Sequence, residues 1–179
     1  MSMMSLMMLA AAATAIPAPG SPNYIPSSPD LGLSEGRCRP NESGSAFLIT
    51  VTGLKDRKGV VRAELYPAND ADFLGDDNVL VMQKKAFARA ALNVPASGPV
   101  TICIRAPGHG SYTLSILHDR NANRKFDRMS DGAAFPRIGN LGRSKPKAAD
   151  VAVSVGNDPH AVTVPMQYLN LLKLGFAKN

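Results

Sequence analysis

From Ala46 onward the chain alternates apolar and polar residues in short runs. In Phe47-Leu48-Ile49-Thr50-Val51-Thr52, the side chains of Phe47, Ile49 and Val51 fall on one face of an extended strand. Val60 to Tyr66 likewise turns Val61, Ala63 and Leu65 inward and Arg62 and Glu64 outward. The Gly53–Gly59 segment between them reads as a hairpin-like loop. Val100–Ile104 is a third strand, and Ser111–His118 a fourth, with Tyr112, Leu114 and Ile116 on one side. Near the end, Val151/Val153/Val155 and Val162/Val164/Met166 alternate in the same way. Lys84–Val94 mixes signals. Its alanines favour a helix, but Pro95 and the neighbouring strands favour an extended run, and a strand is predicted there. A short helical turn is expected at Ala68–Phe73. Seven short strands bounded by Gly, Pro and Asn predict an all-β fold, a seven-stranded antiparallel β-sandwich over residues 46–170. The Arg128–Lys147 stretch is long, irregular and rich in Gly and Pro, which marks either a functional or a mobile loop.

The amino-terminal part has no such period. Residues 1–29 carry no charged side chain, and Met3–Ala15 is a Met/Leu/Ala block that ends in the small-x-small pattern Ala13-Thr14-Ala15. This composition predicts a signal peptide over 1–15 with release at Ile16, and hence a periplasmic or secreted protein. Residues 16–45, rich in Pro, Ser and Gly, read as an extended or disordered linker, and 171–179 as a C-terminal tail. Two cysteines, Cys38 and Cys103, lie 65 residues apart with no metal-ligand spacing around them. In an exported domain such a pair predicts one disulfide, which stabilises by about 4 kcal/mol in the chain-entropy model. Gly36-Arg37 before Cys38 does not fit a lipobox.

Composition narrows the classes. A chain of 179 residues with 45% apolar content can bury its own core, and no run of 18 or more apolar residues predicts a membrane span after the leader is removed. Lys and Arg number 20 against 14 Asp and Glu, giving a net charge of +6. Arg137, Arg143, Lys145 and Lys147 have no acid among them between Asp131 and Asp150, which makes them anion-binding candidates for a component of the cell envelope. Without aromatic interleaving or a helix-turn-helix pattern, sequence-specific nucleic-acid binding is not expected.

Catalytic signatures are weak. Gly32-Leu33-Ser34-Glu35-Gly36 spells G-x-S-x-G, but a nucleophile elbow needs a strand before the serine and a helix after it, and both flanks read as linker. His109 and His160 sit in turns; His118 ends a strand beside Asp119 with no paired nucleophile, so no catalytic residue is assigned. A periplasmic enzyme using His118 and Asp119 as acid and base is the alternative. Asp119, Asn121, Asn123 and Asp127 place oxygens at the first, third, fifth and ninth positions of a calcium-type loop. These are the candidate metal ligands of a calcium-stabilised domain. Against calcium stand Arg124 where such a loop needs Gly, Ser130 where it needs Glu, and four bases against three acids across Asp119–Asp131. The residues read better as an Asx-stabilised turn.

One resemblance gathers these pieces. Leu48–Asp56, Gly59–Arg62, Gly110–Asn123 and Lys125-Phe126-Asp127 resemble the bacterial exported family named domain of unknown function 2141, over roughly Ala46 to Tyr168. The resemblance implies a transthyretin-like or immunoglobulin-like sandwich with no established activity. In that family the turn reads His-Asp-x-Asn-x-Asn-Gly; Arg124 stands here in place of the Gly, which weakens a metal role for Asp119, Asn121, Asn123 and Asp127. The reading reached is an uncharacterised exported non-catalytic β-sandwich module that binds or scaffolds at the envelope, with no cofactor other than the calcium alternative.

Overall fold

A computed structural model describes residues 15–39, 41–142, 144–170 and 175–178; the leader up to residue 14 and the candidate Arg143 lie outside them. Its elements are β1 (Leu33–Glu35), β2 (Ala46–Thr52), β3 (Val60–Pro67), α1 (Asp77–Met82), β4 (Ala88–Asn93), β5 (Val100–Arg105) and β6 (Gly110–Asp119). They continue with β7 (Gly132–Ala134), α2 (Ala148–Val151), β8 (Ala152–Val155), β9 (His160–Pro165), β10 (Gln167–Asn170) and β11 (Gly175–Lys178). The seven alternating runs became β2, β3, β4, β5, β6, β8 and β9. The strands not foreseen, β1, β7, β10 and β11, are three or four residues long, too short to show a period.

Two sheets face each other as a β-sandwich. The larger runs β1-β4-β3-β6-β7-β10-β11, with β8 also pairing β6; the smaller is β5-β2-β9. Pairing is mostly antiparallel, but β1 lies parallel to β4 and β2 parallel to β9, which corrects the purely antiparallel expectation. The expected β2–β3 hairpin is corrected too: the two strands lie in different sheets, and Gly53–Gly59 crosses between them. A period of two reveals which face a strand buries, not which strand lies beside it. Gly59 makes the crossing possible. It adopts φ 70°, and a Cβ there would lie 2.0 Å from the Asp119 carbonyl oxygen.

The core forms where the two inner faces meet. Phe47, Ile49, Ile102, Ile104 and Val164 of the small sheet pack against Val61, Ala63, Leu65, Leu114 and Ile116 of the large one, all fully buried. Each large side chain so buried contributes about 1.5–3 kcal/mol. On the outer side of the large sheet a second cluster joins Tyr66, Phe73, Leu80, Phe135 and Val151. Its rings meet edge to face, Tyr66–Phe73 at 6.0 Å and Phe73–Phe135 at 5.7 Å.

Three stretches of the chain run over or beside that cluster. The Ala68–Phe73 turn is present, with the Phe73 amide donating to the Asn69 carbonyl at 3.0 Å. It is followed by α1, whose six residues are too few for a helical period and which buries Leu80. Only the second half of Lys84–Val94 is strand, because Lys84 leaves α1 at φ 55° and β4 starts at Ala88. The Arg128–Lys147 stretch is held in place: β7 joins the sheet, Phe135 enters the second cluster with Ile138 and Leu141 against it, and the Leu141 amide donates to Gln167 Oε1 at 2.6 Å.

Described segments near both ends of the chain are docked on the large sheet. The segment expected to be a linker turns at Ala18–Ser21, Ser21–Tyr24, Ser28–Leu31 and Asp30–Leu33, its β1 pairs with β4, and Cys38 is disulfide-bonded to Cys103 of β5, with the Cα atoms 5.4 Å apart, inside the usual range. The expected C-terminal tail includes β11, which pairs with β10. Among the described residues no helix is long and apolar enough to cross a membrane.

Candidate functional site

The chemistry-bearing residues singled out from sequence meet at the carboxyl end of β6. Neighbours on a strand face opposite sides, so His118 follows Leu114 and Ile116 into the core while Asp119 faces outward. His118 is fully buried. Its Nε2 lies 2.8 Å from the Lys58 carbonyl, which can only accept, so Nε2 carries the donated proton. Nδ1 then accepts from the Tyr168 hydroxyl at 2.5 Å, and that oxygen accepts the Lys55 amide at 3.0 Å. Through this chain β6 and β10 grip the Gly53–Gly59 crossing at two points. Burial pushes the Tyr168 phenol up to about 12, which keeps its proton in place at ordinary pH. Gly132 admits the ring: a Cβ there would lie 2.6 Å from it.

Asp119 is 3% exposed, and both its oxygens are engaged. Oδ1 accepts the Asn123 amide at 3.2 Å and Oδ2 the Arg124 amide at 2.7 Å. Asn121 Oδ1 accepts the same Asn123 amide, Asn123 Oδ1 that of Lys125, and Asp127 Oδ1 that of Met129. These are Asx-turn bonds. Asp131, 1% exposed, completes the set by accepting the amides of Arg120 and Asp127 at 3.1 and 2.8 Å. The four candidate ligands therefore point at backbone amides of the turn itself, those of Asn123, Arg124, Lys125 and Met129. Among the described residues no group of three or more His, Cys, Asp or Glu is gathered to hold a metal. Below the turn Arg120 pairs with Asp56, and this hydrogen bond holds the Asp56 carboxyl below the usual range despite partial burial.

The basic candidates are dispersed. Lys145 donates to the carbonyls of Phe73 and Asp70 and lies 5.2 Å over the Phe73 ring, so it fastens the loop to the second cluster. Arg137 donates to the Ala152 carbonyl at 3.2 Å, and Lys147 is exposed. His109 and His160 lie on the surface.

Sequence reasoning missed a buried cation with several partners, Arg89. Arg89 is 6% exposed, with Nε 2.7 Å from Glu64, Nη2 3.2 Å from Asp77, and Nη1 donating to the carbonyls of Ser28 and Leu31. The Tyr66 hydroxyl donates to Glu64 at 2.6 Å, and burial with that neighbouring carboxylate pushes the phenol far up. No pattern marks Arg89, which sits in an alanine-rich run and is buried by a segment some sixty residues away. Where that segment crosses β3 and β4 a cleft of about 320 Å³ opens, lined by Leu33, Val60, Arg62, Leu92 and Arg124 among others.

The arrangement thus fastens one turn and one crossing loop to the end of a sandwich. No curated protein and no solved structure matches the chain. β6 and the turn that follows it fall within the span of a family model, that of an uncharacterized protein conserved in bacteria (DUF2141), matched over residues 49–163, with Tyr168 of β10 beyond it, and the chain belongs to that family.

Proposed function

We propose that the protein is an exported, non-catalytic module that binds or scaffolds an anionic component of the cell envelope. One observation carries the reading: His118 is fully buried with both ring nitrogens engaged, by the Lys58 carbonyl and the Tyr168 hydroxyl. A general base must reach a substrate proton, and this ring faces the core. The Cys38–Cys103 bond supports an oxidising compartment, and the net charge of +6 supports an anionic partner.

The test begins with protein recovered from the periplasm of an expressing bacterium. Amino-terminal sequencing should read a start near Ile16, and intact mass without reductant should fall two daltons below the reduced chain. Anionic lipids or glycans should then raise the melting midpoint with occupancy, whereas millimolar calcium should leave it unchanged. Two freely alkylated thiols in that sample would remove the export reading. Turnover of an envelope substrate, lost in His118→Gln at unchanged stability, would replace the binding module with an enzyme.

A further inference from the structure

Two of the most exposed large apolar side chains stand on one loop. Phe126 is 49% exposed and Met129 67%, and both lie between β6 and β7. Phe126 stacks on Phe176 of β11, ring centroids 6.3 Å apart and 23° from parallel. The ring is thereby fixed over the outer face of the large sheet, between two apolar clefts of about 200 and 230 Å³.

The charges beside them are free. Arg120 and Arg124, earlier on the loop, are paired with Asp56 and Asp30. Lys125 and Arg128, on either side of Phe126, are exposed and form no ion pair with the described residues. The one acid between them, Asp127, directs Oδ1 at the Met129 amide. Two apolar tips therefore project beside two cations that form no ion pair with the described residues, with the single carboxylate of Asp127 between them. The side chains of Asn123, Asp131 and Asp127 hold the backbone amides of Lys125, Asp127 and Met129, so little ordering remains to be done on contact.

Apolar tips ringed by Lys and Arg fit one kind of surface best. An anionic bilayer offers phosphates to the bases and an acyl boundary to the apolar side chains. A soluble polyanion would use the bases and leave Phe126 and Met129 in water. We propose that Lys125–Met129 is a membrane-docking tip that seats on an anionic phospholipid surface, with Phe126 and Met129 entering the acyl boundary. This names the partner within the envelope-binding reading above and rests on it only for where such a surface is met.

The disulfide-bonded full chain should co-sediment with vesicles of equal parts phosphatidylglycerol and phosphatidylcholine and not with phosphatidylcholine alone. At about five-fold per basic residue near the surface, Lys125→Gln/Arg128→Gln should weaken binding by roughly 25-fold. Arg37→Gln/Lys84→Gln removes the same charge from exposed positions outside the loop and should change binding far less. Met129→Ser, at a site with little packing to lose, should weaken it several-fold. The chain has no tryptophan, so Phe126→Trp supplies a single reporter. Its emission should shift to the blue on the mixed vesicles and stay put with inorganic phosphate or a soluble acidic polysaccharide. Equal losses from the two double variants, or vesicle binding without a blue shift, would overturn the docking tip and leave only diffuse charge attraction. Absent vesicle binding would overturn it outright. The assay needs no export, so a failed export reading and a failed docking tip are told apart.

Discussion

The large sheet is finished in two different ways. Around His118 the loops are held by hydrogen bonds to buried polar atoms; around Tyr66 they are held by rings. At the polar end each atom has a set number of partners, such as the Tyr168 hydroxyl that donates to His118 and accepts from Lys55. At the aromatic end Phe73 touches Tyr66 and Phe135 edge to face with no such count. The difference implies that the first end is sensitive to the loss of one oxygen, and the second to the loss of volume.

Phe73→Ala should give the largest effect. The side chain is fully buried, and removing it opens a cavity among rings, at a cost of about 3–5 kcal/mol. Phe73→Leu, which keeps most of the volume, should cost about 1.5 kcal/mol or less. Urea denaturation midpoints of the oxidised chain measure both. A similar loss from the two variants would mean that ring geometry, not volume, secures this end.

Tyr168→Phe removes a single oxygen at the other end, leaving the Lys55 amide and His118 Nδ1 without their partner, at a cost of about 1–3 kcal/mol. Hydrogen exchange at Lys55 should quicken more than exchange around Phe73. Alkali should act in the same direction. With its folded pKa raised to about 12, the Tyr168 phenol contributes stability that is full below the ordinary value of about 10 and is lost as pH rises towards 12. A neutral Tyr168→Phe would show that the crossing loop is held by Gly59 and chain connectivity instead.

Acid should also loosen the polar end. Asp56 titrates below its usual value because of its bond to Arg120, so its contribution is present above the ordinary aspartate pKa of about 3.9 and is lost as pH falls through the lower folded value. Asp72, held low by Lys85 beside the aromatic cluster, follows the same sign. Thermal melts from pH 6 downward should therefore decline, and Asp56→Asn should flatten only the part that exchange at Lys55 and Lys58 reports. An unchanged acid limb in that variant would place the loss elsewhere.

How much of this was legible in the sequence follows from the range over which each interaction acts. Phe47, Ile49 and Val51, or Val61, Ala63 and Leu65, announced their buried face because period-two alternation is local. Their assignment to separate sheets was not local. It depends on Gly59 fitting against Asp119 and on β9 joining β2 from more than a hundred residues away. The Asx spacing of Asn121, Asn123 and Asp127 was legible for the same reason that the strands were, since each side chain bonds an amide two residues on. His118 could be placed at a strand end, yet its partner Tyr168 lies 50 residues off. Arg89 was illegible because a docked terminal segment buries it. Phe126 and Met129 were passed over because a charge count across the turn cannot tell an exposed ring from a buried one.

The smallest expected effect lies within the turn itself. Arg124 adopts φ 67°, in the left-handed region where a side chain costs about 1 kcal/mol relative to glycine. Its backbone is what the turn uses: the amide donates to Asp119 and the carbonyl accepts from Arg62. Among the described residues its side chain pairs only with Asp30, and both groups are more than half exposed, so that pair contributes little. Arg124→Gly should therefore stabilise the chain by about 0.5–1 kcal/mol, the strain relieved exceeding the added freedom of the unfolded glycine. Asp30→Ala, which breaks the same ion pair without relieving the strain, should be nearly neutral. Paired denaturation curves decide the matter. If both variants destabilise to the same extent, the Asp30 pair outweighs the backbone strain, and the polar end depends on a surface charge as well as on its buried hydrogen bonds.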